Sequence, residues 1–221
     1  MRRALGWIPA VLVALLLAAC GASAGTAPKP TPTPSPSLES GWKLYSVTAE
    51  GFTIALPATW DKVDLNVEAA DAAAAFKDNQ EFVKFIQGLQ LNKYVKFFGV
   101  DHQTISSDFA TNVNVIAISL PASMTTLDQV VTAELATYKR LQISPTQQRI
   151  HLSGGDAEQL DYNLTPNTAS GAKVLTAVKQ YILVRLGANP TEFVISLTTK
   201  ADQASSYEVT FGKIANAFHY Q

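Results

Sequence analysis

Gly51-Phe52-Thr53-Ile54-Ala55-Leu56-Pro57-Ala58-Thr59-Trp60 is the segment from which the architecture of this chain follows. Phe52, Ile54 and Leu56 alternate with Thr53 and Ala55, the period of a strand with one face buried, and Pro57, which has no amide donor, stops it. Trp60 comes just past that stop and is expected to pack under the turn. Exposed, Trp60 or Trp42 would instead serve as an aromatic anchor for a partner.

Five more strands follow from the same reasoning. Residues 112–120 are rich in Val and Ile and run into Pro121. Residues 148–152 and 157–164 flank Ser153-Gly154-Gly155-Asp156, and residues 174–186 and 192–199 flank Gly187-Ala188-Asn189-Pro190, so both loops read as hairpin turns. In 174–186 both alternating sets are apolar: Val178, Ile182 and Val184 on one side, Leu175, Tyr181 and Leu183 on the other. Such a strand needs cover on both faces.

Helical spacing supplies the cover. Leu127, Val130, Val131, Leu135, Tyr138 and Leu141 form one apolar stripe, with Thr125 and Asp128 as its capping box. Tyr207, Phe211, Ile214 and Phe218 form another, opened by Asp202 as N-cap. Residues 69–91 read as a third helix that buries Phe82, Phe85, Ile86 and Leu89. The pattern predicts an α+β fold, a mainly antiparallel sheet with helices on both faces, in a single domain over residues 42–221. About 180 residues are enough to bury roughly 70% of the unfolded surface without staples.

The opening decapeptide resembles the start of PsbP-like domains, in which a Phe-x-Ile strand runs into Pro and then Trp at a sharp turn. The Asn112-Val113-Asn114-Val115 strand, the helix after Leu120 and the close on residues 211–220 fit the same family. The resemblance implies an α/β/α sandwich and non-enzymatic protein binding. The family includes an extrinsic photosystem II subunit, bacterial lipoproteins and a eukaryotic Ran-binding relative. About 50 residues separate Trp60 from Asn112, far more than the photosystem subunit's compact connection. With Phe109-Ala110-Thr111-Asn112-Val113-Asn114, this stretch looks more like the family's envelope lipoproteins of Gram-positive-type bacteria. Photosystem II assembly is the alternative for a photosynthetic source.

At the N-terminus, Arg2, Arg3 and the apolar residues 4–19 lead into Cys20, the only cysteine. The apolar run is shorter than the ~20 residues of a spanning helix. A basic start, a short apolar core and the small residues of Leu17-Ala18-Ala19 before Cys20 are the parts of a signal peptide. Together they resemble the bacterial lipobox. That resemblance implies removal of residues 1–19, a diacylglycerol thioether on Cys20 and a further acyl chain such as palmitate on the freed amine. Each buried methylene contributes about 0.8 kcal/mol, and two or more chains hold where one would exchange. Arg2-Arg3 also fits a twin-arginine signal, but Gly6 sits where that signal prefers an apolar residue.

Residues 20–41 read as a tether. Pro28, Pro30, Pro32, Pro34 and Pro36 fall at every second position, which excludes helix and sheet and favours an extended chain of about 3.1 Å per residue. A proline-rich ligand for a partner domain is the other use of such a segment. The expected location is the extracytoplasmic face of the cell membrane, held by lipid. The expected partner is an envelope protein or a hydrophobic ligand.

Charge excludes some partners. The chain has 17 basic and 18 acidic residues for a net charge of −1, and its cations are dispersed. Neither a nucleic-acid stripe nor attraction of the domain to anionic lipid is expected. His102, His151 and His219 occur in no H-E-x-x-H or Cys-paired zinc pattern. Asp101-His102 would point to opposite faces of a strand, so a solvated loop histidine is expected there. His151 should face away from Ile150 and Leu152, and packing accounts for His219.

No G-x-S-x-G elbow occurs, and Ser153-Gly154-Gly155 lacks its strand-to-helix setting and the lysine of a phosphate loop. Asp61, Asp64, Glu68 and Asp71 lack EF-hand spacing and suit a helix N-terminus. Asn163-Leu164-Thr165 matches a glycosylation sequon but is followed by Pro166. No catalytic, cofactor or metal residue is therefore assigned, and Cys20 is the lipid-attachment residue. The alternative is an envelope hydrolase whose site assembles in space around His102 or His151.

Overall fold

The computed structural model describes residues 38–63, 95–106, 109–166 and 171–221. The signal segment, Cys20, the tether as far as residue 37, the expected helix at 69–91 and Asp64, Glu68 and Asp71 lie outside the described residues. In chain order the strands are β1 (Trp42–Val47), β2 (Phe52–Pro57), β3 (Trp60–Lys62), β4 (Val95–Asp101), β5 (Asn112–Ser119), β6 (Thr146–Leu152), β7 (Gly155–Leu164), β8 (Thr176–Arg185), β9 (Thr191–Lys200) and β10 (His219–Tyr220). Helix α1 (Leu127–Arg140) joins β5 to β6, and α2 (Ala204–Asn216) joins β9 to β10. No helix among the described residues is long and apolar enough to cross a membrane.

The strands make two sheets where the sequence suggested one. A large sheet has the order β3-β4-β5-β9-β8-β7-β6 and a small one the order β1-β2-β10. Every pairing is antiparallel. The decapeptide explains the division. β2 ends at Pro57, and Trp60 starts a new strand that pairs with β4 instead. The alternating residues Phe52, Ile54 and Leu56 are all but fully buried and face the large sheet's Phe97, Val113, Phe193 and Ile195.

Strand β8 shows why both faces of the large sheet are covered. Tyr181 and Leu183 belong to the main core with α2 and the small sheet, whereas Ile182, between them, joins Leu160 and α1's Val130, Val131 and Tyr138. Helix α1 therefore lies on one face, and α2 with the small sheet on the other. Leu175 does not take part in this alternation: it precedes β8 and is exposed.

Two close approaches fix the layers. A Cβ on Gly99 of β4 would lie 2.5 Å from Leu56 Cδ1, so the small sheet rests directly on that backbone. A Cβ on Gly154 would lie 2.6 Å from the Phe218 carbonyl oxygen. The Ser153-Gly154 turn is thus tucked against the chain that enters β10, and Gly155 beside it has φ +127°.

Both helix starts differ from the sequence expectation. The capping box of α1 is Thr126 with Gln129, one residue on from Thr125 and Asp128. Thr126 is extended, its hydroxyl accepts from Gln129 N at 3.3 Å, and Gln129 Oε1 accepts from Thr126 N at 3.2 Å. Asp128 is free of that duty and pairs with Arg149. Asp202 is not the N-cap of α2. It sits in a 3-10 turn, Ala201–Gln203, whose Ala201 N–H bonds the Leu175 carbonyl, and backbone rather than side chain starts the helix. Phe218 lies beyond α2, fully buried against Phe52 and Phe193 at ring distances of 5.2 and 5.3 Å.

Candidate functional site

Trp60 packs as expected. It is buried, edge-on to Tyr207 at 6.4 Å and Phe211 at 6.5 Å. Trp42 is half-buried against the same core. Tyr207 donates to Asp101 Oδ2 at 2.5 Å, and burial together with that carboxylate pushes its hydroxyl pKa up to about 12. Asp101 also accepts from Gln103 N at 3.1 Å, so this buried acid closes β4 and caps the turn after it.

Because Asp101 turns inward, His102 finds a different acid. Its Nδ1 lies 2.8 Å from Asp61 Oδ2 of β3, and the imidazole side chain is 66% exposed. His151 faces away from Ile150 and Leu152, and its Nδ1 lies 2.7 Å from Asp156 Oδ1, its cross-strand partner, with the imidazole side chain 78% exposed. Each pair has the orienting acid of a His–Asp dyad. The serines nearest in sequence are committed elsewhere: Ser106 donates to the Phe109 carbonyl at 2.8 Å, and Ser153 Oγ bonds Asn216 Oδ1 at 3.0 Å. His219 is half-buried with its Nε2 unpartnered, and desolvation lowers its pKa. Among the described residues no group of three or more His, Cys, Asp or Glu side chains could hold a metal ion.

Two polar features escaped the sequence reading. On the α2 face, Lys179 stands on the same side of β8 as Tyr181 and Leu183, and its side chain is only 15% exposed. Its Nζ meets Glu208 Oε1 of α2 at 2.9 Å and Asp161 Oδ1 of β7 at 3.4 Å. Gln159 Nε2 holds the other Asp161 oxygen at 2.7 Å. Lys179, Asp161 and Glu208, with Asn163, Thr199 and Phe211, line an open cleft of about 320 Å³. It offers a clamp for polar groups and no nucleophile beside a base.

On the α1 face, Gln180 Oε1 accepts from both Tyr138 and Tyr162, whose rings lie 5.3 Å apart. Glu192 lies on the same face, 3% exposed, with its Oε1 unpartnered. Burial first and the neighbouring Glu134 second raise its pKa to about 8. Burial likewise raises the pKa of Glu134 and holds the Tyr138 and Tyr162 hydroxyls un-ionised. Glu134 had a signal in the sequence, since it falls midway in the row Val130, Glu134, Tyr138 at helical spacing.

Fold and site define a two-sheet α+β sandwich with surface ion-pair clefts. No protein-family model matches the chain, and no curated protein sequence matches it. Solved structures similar to it include the cyanobacterial PsbP of Synechocystis, at 16% identity and TM-score 0.48 over 86% of this chain and 98% of that one. LpqN of Mycobacterium tuberculosis, described as involved in cell envelope biogenesis, matches at 11% identity and TM-score 0.46 over 76% of this chain and 82% of that one. The Ran-binding protein Mog1p of Saccharomyces cerevisiae matches at 12% identity and TM-score 0.48 over 81% and 95%. A PsbP is thus among them, the family that the decapeptide resembles. The likeness concerns the arrangement of strands and helices, and no activity, partner or location follows from it.

Proposed function

We propose that this chain is a lipid-anchored extracytoplasmic lipoprotein that presents its domain, without catalysis, to an envelope protein or a hydrophobic ligand. The observation that carries the reading is the order of parts in the sequence: a lipobox ending at Cys20, a proline tether to about residue 41, then a folded domain. Lipid fixes the position at the membrane, the tether sets the reach, and the domain supplies the contact surface. The open clefts at Lys179 and at Arg149 are bordered by ion pairs, which suits recognition of polar surface more than bond cleavage.

Mass spectrometry of the mature N-terminus tests the anchor: Cys20 carrying acyl chains is expected, and an unmodified thiol refutes it. Capture of bound material from membranes with the intact protein, against Cys20→Ala as control, tests presentation. A reproducible partner or ligand lost with the anchor supports it, and recovery of none overturns it.

A second reading, an envelope hydrolase, has the two His–Asp pairs in its favour. It requires a measured turnover that falls by orders of magnitude in His102→Ala or His151→Ala.

A further inference from the structure

Glu192, the second residue of β9, stands in one row with Val194, Ser196 and Thr198, on the face that carries α1. Its cross-strand neighbours are Val184 on β8 and Ile118 on β5, both apolar. From α1 the groups that act on it are Glu134, a second acid, and Tyr138, whose hydroxyl is given to Gln180. The cations at this end of the sheet are engaged elsewhere. Arg149 is held by Asp128 and Glu158, and Arg185 lies on the opposite face, bonded to Thr191 and the Gln221 carbonyl. A carboxylate enclosed by apolar strands, with its Oε1 unpartnered and beside another acid, holds its proton instead of its charge.

The helix above it is also separable from the rest. Val130, Val131 and Tyr138 of α1 pack on Leu160 and Ile182, with the partly buried Leu127 and Leu135 of the helix beside them, as a cluster separate from the main core, which joins both sheets and α2 on the far face. Such satellite units open locally at lower free energy than the whole domain.

We propose that α1 is a pH-gated flap, seated on the large sheet while Glu192 is protonated and lifting more often as the proton can be shed to water. Closed, the carboxyl titrates near pH 8; opened to water, it titrates at the ordinary value of 4.5. The opening equilibrium therefore rises by up to tenfold for each pH unit between about 5 and 8, and levels off above. Opening uncovers Leu160 and Ile182, a surface absent from the closed domain.

Hydrogen exchange of the full chain, read from pH 5 to 9 and corrected for the intrinsic rate, tests this. Opening of residues 127–140 should climb at least tenfold from pH 5 to 8 while residues 193–197 stay protected. In Glu192→Gln that climb should shrink to the smaller part supplied by Glu134, whose pKa burial also raises. In Glu134→Gln, where the repelling charge is gone, the plateau should arrive at lower pH. Equal pH profiles in wild type and Glu192→Gln overturn the proposal, as does parallel opening of 127–140 and 193–197, which would be global unfolding. If Glu192→Gln does not fold, an unmoved plateau in Glu134→Gln overturns it equally.

Discussion

Gly99→Ala tests whether the decapeptide's strand sits on the large sheet as described. The added Cβ would lie 2.5 Å from Leu56 Cδ1, 3.2 Å from Val113 Cγ1 and 3.4 Å from Phe97 Cε1. Carbon atoms prefer separations of about 3.5–4.0 Å, so about 1 Å of overlap with Leu56 must be relieved. Leu56 is fully buried, and Val113 and Phe97 close two other directions of escape. Overpacking of this kind costs about 1–3 kcal/mol, offset by about 0.5–1 kcal/mol from the stiffer unfolded chain. A net loss of about 1.5 kcal/mol is expected. Leu56→Ala alone should cost about 3 kcal/mol through its cavity. In the double variant the new methyl enters the space that Leu56 vacates, so Gly99→Ala should then cost nothing, a coupling of about 1.5 kcal/mol. Urea unfolding followed by tryptophan fluorescence at unchanged m-value measures all four stabilities. Additivity within about 0.5 kcal/mol would refute the stacking of β2 on β4.

Thr126→Ala should destabilise the domain by about 1 kcal/mol through loss of the α1 cap, while Thr125→Ala should cost less; thermal unfolding of both distinguishes the boxes. Glu192→Gln should stabilise the whole domain. The folded pKa of Glu192 lies above its unfolded one, so wild type loses stability as pH rises from about 4.5 to about 8, at about 1.4 kcal/mol per unit. The variant should therefore gain on wild type by about 2–3 kcal/mol at pH 7 and converge with it near pH 4.5, as read by denaturant titration at both pH values.

Strands with a strong period were legible because alternation and proline stops are local. The hairpin β8–β9 and the two-sided burial of β8 could be read from Tyr181, Ile182 and Leu183 alone. The split into two sheets could not. It depends on β2 pairing with β10, 160-odd residues later in the chain, and nothing in Phe52 or His219 announces that partner. Both cap errors have one cause: several Thr and Asp residues could serve, and the backbone geometry that selects Thr126 is set by tertiary packing. The histidines drew attention by residue type, yet they sit on the surface with their aspartates. Glu192 and Lys179 drew none, because charged residues in a strand are read as its solvated side. Their parity with Val194 and Tyr181 was the available signal.

The two faces of the large sheet differ in what a change of shape would cost. On the α2 face, Phe52, Phe193, Phe218 and Tyr220 interlock at ring distances of 5.2–6.4 Å, and they join strands from both sheets with the C-terminal segment. Displacing any one of them breaks contacts in two sheets at once, so that face moves only when the domain unfolds. On the α1 face, the helix rests on five apolar residues of its own, the buried Val130, Val131 and Tyr138 with the partly buried Leu127 and Leu135, on a shared glutamine and on two acids that repel when charged. Polar groups that fit only when fully satisfied, or only when neutral, make an interface with two states rather than one. The conformational freedom of the domain is therefore concentrated in α1, and the proton on Glu192 is the ligand that sets it.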